Sequence, residues 1–125
     1  MDVNYESLKR RLIEYEKYTD ISEAKRKMKL EKGKIECELE NSKKNNRINK
    51  IRLGSFNICT VLHLSIAITH FSNKNNASGL LSTAASMCFG ANSLVNIIMI
   101  KKENKRIENW NRCLELVDDE IRKLK

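Results

Sequence analysis

Two histidines and a cysteine lie within one uncharged stretch of the sequence and are the first candidates for chemistry. Cys59 and His63 are one helical turn apart, and His70 follows two turns later. Thiolate and imidazole are zinc ligands, but a zinc site needs three or four of them, and the spacing brings no carboxylate or second cysteine nearby. We therefore predict no metal site and no cofactor.

Polar and small side chains recur at three- and four-residue steps through this stretch and through a second one. The first stripe contains Asn57, Thr60, His63, Ala67 and His70, and the second contains Ser82, Ser86, Gly90, Ser93 and Asn96. Residues at this spacing share one face of a helix. Such faces either pack helices together in a membrane through small residues and hydrogen bonds or line a conduction path, in which His63 would give pH dependence near neutrality. We favour packing.

An antiparallel pairing of the two stripes is consistent with either interpretation. In an antiparallel pair, the numbers of two facing residues have a constant sum. If the short break forms the turn, this sum is about 153, so that His63 faces Gly90 and Ala67 faces Ser86. Each polar side chain then meets a small or polar partner. Gly90 is predicted to be a point of close approach, where a larger side chain would force the helices apart.

Two long uncharged runs contain these stripes. Leu53 to Phe71 has 19 residues without Asp, Glu, Lys or Arg, and Ala77 to Ile100 has 24. A helix rises about 1.5 Å per residue, so each run is long enough to cross a hydrocarbon layer of roughly 30 Å. The short break between them predicts an antiparallel transmembrane hairpin over 51–100, with spans at about 53–71 and 77–100. Because polar residues dilute both runs, a soluble helical bundle that wraps the hairpin is the alternative.

Basic residues flank this hairpin. The chain has 24 Lys and Arg against 16 Asp and Glu, a net charge of +8. Nine basic residues lie just outside the two runs, and one, Lys74, lies in the loop. The positive-inside rule therefore predicts an integral membrane protein with both termini in the cytoplasm and the lipid bilayer as its partner. Aromatic residues are not interleaved with the basic flanks, which argues against nucleic acid as a partner.

The C-terminal segment, 101–125, carries a regular apolar pattern. Its positions are Ile107, Trp110, Leu114, Val117, Ile121 and Leu124. Unbroken three-four spacing of apolar residues predicts a coiled-coil helix, and we assign this seam to self-association of the chain, with other helical proteins as further possible partners.

The N-terminal arm, 1–50, is predicted to be helical and cytoplasmic. Residues 3–18 have the apolar spacing of an amphipathic helix, and Asp20 followed by Glu23 resembles a capping box at the start of the next helix. Gly33 weakens that second helix, and the polar stretch 42–50 is predicted to be a hinge.

The sequence predicts an all-α fold: an antiparallel two-helix transmembrane hairpin continuing into a cytoplasmic coiled-coil stalk, plus an N-terminal amphipathic helix. No catalytic motif is present, and every carboxylate lies in the charged flanks. We expect a non-enzymatic membrane protein that self-associates through the stalk and the small, polar transmembrane face. The alternatives are an oligomeric pore and a soluble helical-bundle interaction module.

Overall fold

The described residues of the chain, 5–18 and 20–124 in a computed structural model, form three α-helices. Helix α1 is Tyr5–Tyr18, α2 is Ile21–Ser72 and α3 is Asn76–Lys123. The predicted all-helical fold is confirmed. Residues 1–4, 19 and 125 lie outside the described residues. The predictions for the segments 1–50, 3–18 and 101–125 are therefore compared with the structure without them.

Helix α2 begins where the capping pattern predicts. The carbonyl of Asp20 accepts the first helical hydrogen bond, from the amide of Ala24 at 2.8 Å. The helix then continues for 52 residues through Gly33 and through the stretch 42–50. The predicted hinge is wrong, because the Lys, Arg and Asn side chains there are all compatible with a helix and no proline interrupts it.

The chain divides into two compact units. Unit 1 comprises the residues up to 44 and those from 103 onward, and therefore contains α1, the first part of α2 and the last part of α3. Its core is an apolar cluster drawn from all three helices: Leu8, Leu12, Met28, Ile35, Leu39, Trp110, Cys113 and Val117. Two ion pairs join its helices, Arg11 to Glu31 at 3.4 Å and Lys32 to Asp118 at 2.7 Å.

Unit 2 comprises residues 45–102, an antiparallel pair formed by the later part of α2 and the earlier part of α3. The turn between them follows the Schellman pattern. The amide of Asn75 donates to the carbonyl of His70 at 2.9 Å, and the amide of Lys74 donates to the carbonyl of Phe71 at 3.1 Å. Lys74 occupies the left-handed position, with φ of 59°. Asn75 then caps α3, because its side-chain oxygen accepts the amide of Ser78 at 3.4 Å.

Candidate functional site in the polar face of the helix pair

Unit 2 has small and polar residues inside and large apolar residues outside. Of the twenty large apolar side chains exposed among the described residues, seventeen belong to unit 2. Its buried positions are instead Asn46, Asn49, Ala67, Gly79, Ser86, Ser93 and Asn96. This arrangement is the reverse of a water-soluble core, and it makes the buried polar face the candidate functional site.

The first predicted stripe lies on the buried face except at its start. Thr60, His63 and His70 are half-buried and Ala67 is buried, whereas Asn57 is exposed. Asn57 does not share the buried face with the rest of the stripe, because two successive three-residue steps, from 57 to 60 to 63, fall short of the 3.6-residue helical repeat. Phe56 occupies the interior position instead and packs against Phe89 of α3, with ring centroids 6.2 Å apart.

The second stripe lies on the buried face of α3. Ser86, Ser93 and Asn96 are buried, and Ser82 and Gly90 are half-buried. A Cβ built on Gly90 meets no atom within 4 Å, so the predicted close approach there is wrong. The close approach occurs at Gly79, where a Cβ would lie 2.7 Å from the Phe71 ring. The sequence offered a signal for Gly79, since it belongs to the same three-four repeat as Ser82 and Ser86.

Three contacts define how the two helices pair. The Ser86 hydroxyl donates to the Thr60 carbonyl at 3.2 Å, and the rings of His63 and Phe89 have centroids 5.0 Å apart. With Gly79 against Phe71, the paired residue numbers sum to 146, 152 and 150. A helical carbonyl points toward the C-terminus of its helix, so Ser86 lies beyond the level of residue 60. The pairing is therefore close to the predicted register but shifted by a few residues.

Three of the polar side chains on this face, Thr60, His63 and Asn96, bond to carbonyls of their own helix. Thr60 donates to Phe56 at 2.8 Å and Asn96 donates to Asn92 at 2.8 Å. The Nδ1 of His63 lies 2.9 Å from the Cys59 carbonyl, which can only accept, so Nδ1 carries the hydrogen. These bonds satisfy the three groups within the helices, whereas the buried hydroxyl of Ser93 has no hydrogen-bond partner among the described residues.

The cysteines and histidines do not converge. No group of three or more His, Cys, Asp or Glu side chains that could hold a metal ion is found within residues 5–18 and 20–124. Cys113, in the core of unit 1, is fully buried, and this burial raises the pKa of its thiol above the ordinary value. A thiol with a raised pKa is a poor nucleophile, so Cys113 fills the core as a small apolar side chain.

The predicted C-terminal seam packs within its own chain. Trp110 and Val117 are buried in the unit 1 core, and the other four seam residues are half-buried against it. Those four are Ile107, Leu114, Ile121 and Leu124. The apolar stripes of α1 and α2 cover this seam, including Leu8 and Met28. The sequence pattern alone did not identify the individual residues that make these contacts.

Two helices, α2 and α3, are long and apolar enough to cross a membrane by length and composition. In the most apolar 18-residue windows of these helices, 6% and 17% of the positions are buried. Comparison with known proteins adds nothing to this geometry: no protein-family model, no curated protein and no solved structure matches the chain.

Proposed function

We propose that the chain is a non-enzymatic integral membrane protein whose unit 2 crosses the bilayer as a hairpin. The observation that carries this proposal is the reversed composition of unit 2, with large apolar side chains outside and Ser86, Ser93 and Asn96 inside. In water, so many exposed apolar side chains would be strongly unfavourable, since soluble monomers rarely expose apolar patches above a few hundred Å². In lipid the same surface is matched to its surroundings.

The charges support one orientation of the hairpin. Lys74 is the basic residue of the turn, while Arg47, Lys50, Arg52, Lys101 and Lys102 lie toward the other end of unit 2. The positive-inside rule then puts that end, together with both termini, in the cytoplasm. The soluble alternative has less support, because α1 packs in unit 1 and leaves the apolar windows of α2 and α3 exposed.

The second part of the proposal is that the chain self-associates, with Asn57 at the contact between copies. This residue is exposed on the surface of α2, and its neighbours Ile58 and Val61 are 63% and 62% exposed. In a bilayer an exposed amide has no water to bond, so a second hairpin that supplies hydrogen-bonding groups would be stabilised at this position. The C-terminal seam is already covered within the chain.

The pore alternative has less support from the geometry. Several of the polar side chains that would line a conduction path already bond to nearby carbonyls, as Thr60 and Asn96 do. The space between the helices near His63 is occupied by the ring of Phe89.

Alkaline carbonate extraction of cell membranes tests integration, and protease protection tests orientation. We expect the chain to stay in the membrane pellet, and protease on the cytoplasmic side to cleave near both termini. Release into the carbonate supernatant would refute the membrane proposal. Protection of either terminus would refute the orientation alone.

Self-association is tested by energy transfer between labelled copies in vesicles. Asn57→Leu should weaken association about fivefold, which corresponds to the roughly 1 kcal/mol of an interhelical hydrogen bond in a membrane. The matched control is Asn92→Leu, because Asn92 is also exposed but already donates to the Cys88 carbonyl at 3.0 Å. Equal energy transfer in the wild type and Asn57→Leu would exclude Asn57 as the contact.

A further inference from the structure

Unit 2 carries only positive charge. Residues 45–102 contain six Lys or Arg and no Asp or Glu, so this unit accounts for +6 of the net charge of +8. Five of the six precede or follow the uncharged runs: Arg47, Lys50, Arg52, Lys101 and Lys102. We call these five residues the basic band.

The basic band is exposed and unpaired. All five side chains are exposed, and none of them takes part in an ion pair with any residue in the described part of the chain. The ion pairs found among residues 5–18 and 20–124 instead lie in unit 1, where Lys32 meets Asp118 and Arg112 meets Glu108. Like charges collected without counter-charges repel one another, and an external anion would relieve this repulsion.

The five charges lie at nearly the same height along the helix pair. With facing residue numbers that sum to about 150, Lys101 and Lys102 lie level with residues 48–49 of α2. From Arg47 to Arg52 the helix rises about 7.5 Å, which is the depth of a headgroup layer rather than of a hydrocarbon core. The band therefore surrounds one end of unit 2, opposite the turn.

An apolar wall adjoins the band on both helices. Ile51 of α2 is 61% exposed, and on α3 Leu94 and Ile98 are 63% and 65% exposed. A ligand that fits both surfaces has an anionic head and long apolar chains. This combination is the chemistry of an anionic phospholipid, whereas a nucleic acid would meet the charges but not the apolar wall.

We propose that the basic band binds the headgroups of anionic phospholipids, with their acyl chains along the apolar walls of α2 and α3. This inference rests on the membrane hairpin proposed above. Each cation near an anionic membrane surface strengthens binding about fivefold. The preference for anionic over zwitterionic lipid should therefore depend on these five residues and should weaken as salt screens them.

The test uses the full chain reconstituted in vesicles of equal parts phosphatidylcholine and phosphatidylglycerol. The protein is extracted in a mild uncharged detergent, and the lipids that accompany it are quantified by mass spectrometry. We expect the wild type to retain phosphatidylglycerol at least about fivefold over phosphatidylcholine. The band variant, which keeps only Lys50 of the five, should lose most of this preference. It combines Arg47→Gln, Arg52→Gln, Lys101→Gln and Lys102→Gln.

The matched control removes two Arg and two Lys from exposed positions of unit 1. It combines Lys9→Gln, Arg10→Gln, Arg26→Gln and Lys29→Gln. This control changes net charge by the same amount but leaves the basic band intact, so it should keep the wild-type preference. An equal loss of preference in both variants would mean that net charge alone attracts the lipid, and it would overturn the assignment to the band. Displacement of phosphatidylglycerol by glycerol phosphate or by an RNA oligonucleotide at the same phosphate concentration would also overturn it.

A separate arm in pure phosphatidylcholine vesicles distinguishes this inference from the membrane proposal. Resistance to carbonate extraction there reports insertion without any anionic lipid. Insertion with no lipid preference in the mixed vesicles would refute the basic band as a lipid site and leave the hairpin intact. Failure to insert in either vesicle would refute both.

Discussion

The hydroxyl of Ser86 donates a hydrogen bond to the carbonyl oxygen of Thr60 across the helix pair of unit 2, at 3.2 Å. Other hydroxyls on these helices bond within their own helix: Thr60 to Phe56 at 2.8 Å and Thr83 to Gly79 at 2.9 Å. Ser86 therefore differs from them in joining α3 to α2. It is also buried, with 4% of its surface exposed.

Ser86→Ala should weaken the helix pair by about 1 kcal/mol, the typical contribution of an interhelical hydrogen bond in a membrane. The measurement is the free energy of unfolding in mixed micelles, titrated with a denaturing detergent. Ser65→Ala is the control, because Ser65 is exposed and bonds to the Val61 carbonyl of its own helix at 3.0 Å. If both variants lose the same free energy, the interhelical bond is not what stabilises the pair.

The two glycines of the α3 face should respond differently to a methyl group. Gly79→Ala places a Cβ 2.7 Å from the Phe71 ring, which must then move, and overpacking of this kind costs about 1–3 kcal/mol. Gly90→Ala meets no atom within 4 Å and should be neutral or stabilising by up to about 1 kcal/mol, because alanine favours the helix. The same micelle titration compares the two variants. A larger loss for Gly90→Ala than for Gly79→Ala would contradict the observed register.

Leu114→Asp tests whether the C-terminal seam stabilises unit 1. Leu114 packs against the apolar core, and a charge placed there without a partner should cost several kcal/mol. The single tryptophan, Trp110, lies in the same core and reports its unfolding by fluorescence. The control is Leu30→Asp, because Leu30 is 64% exposed on α2. A Trp110 unfolding transition unchanged by Leu114→Asp would show that the seam is not packed in this core.

The helices could be predicted from the sequence because local patterns fix them. The absence of proline, the uncharged runs and the capping residue Asp20 act over a few residues each, and the structure confirms the all-helical fold and the start of α2. Asn57 was assigned to the buried face because the prediction followed polarity. The helical repeat instead selects Phe56, whose large apolar ring packs against Phe89.

Partners distant in sequence were less predictable. The C-terminal repeat predicts an apolar seam, but repeats of this kind do not specify whether the partner lies in another copy or in the same chain. Here Leu8 and Leu12 of α1, about a hundred residues away in sequence, supply part of the covering surface. The close approach of the helices predicted at Gly90 was also wrong, since a small side chain permits close packing but does not require it.

Lys74→Gly should stabilise the turn of unit 2. Lys74 has φ of 59°, a conformation that costs an L-residue with a Cβ about 1 kcal/mol and costs glycine much less. Lys74→Ala keeps the Cβ and removes the charge, so it should leave stability nearly unchanged. Hydrogen exchange of the Asn75 amide, which bonds the His70 carbonyl, measures the opening of the turn. Equal protection in the glycine and alanine variants would argue against backbone strain at this position.

Substitution of His63 distinguishes a packing function of the polar face from a pore function. Its ring lies 5.0 Å from that of Phe89 across the helix pair, and its Nδ1 bonds the Cys59 carbonyl of its own helix. If these contacts serve packing, His63→Leu should cost about 1 kcal/mol of pair stability, and neither the wild type nor the variant should make vesicles leak. If the face lines a water-filled path, the wild type should conduct ions, and His63→Leu should abolish the flux. The assay is ion flux from vesicles, with Ile58→Leu on the exposed surface as the control. A flux that survives in Ile58→Leu and disappears in His63→Leu would refute the packing function in favour of the pore.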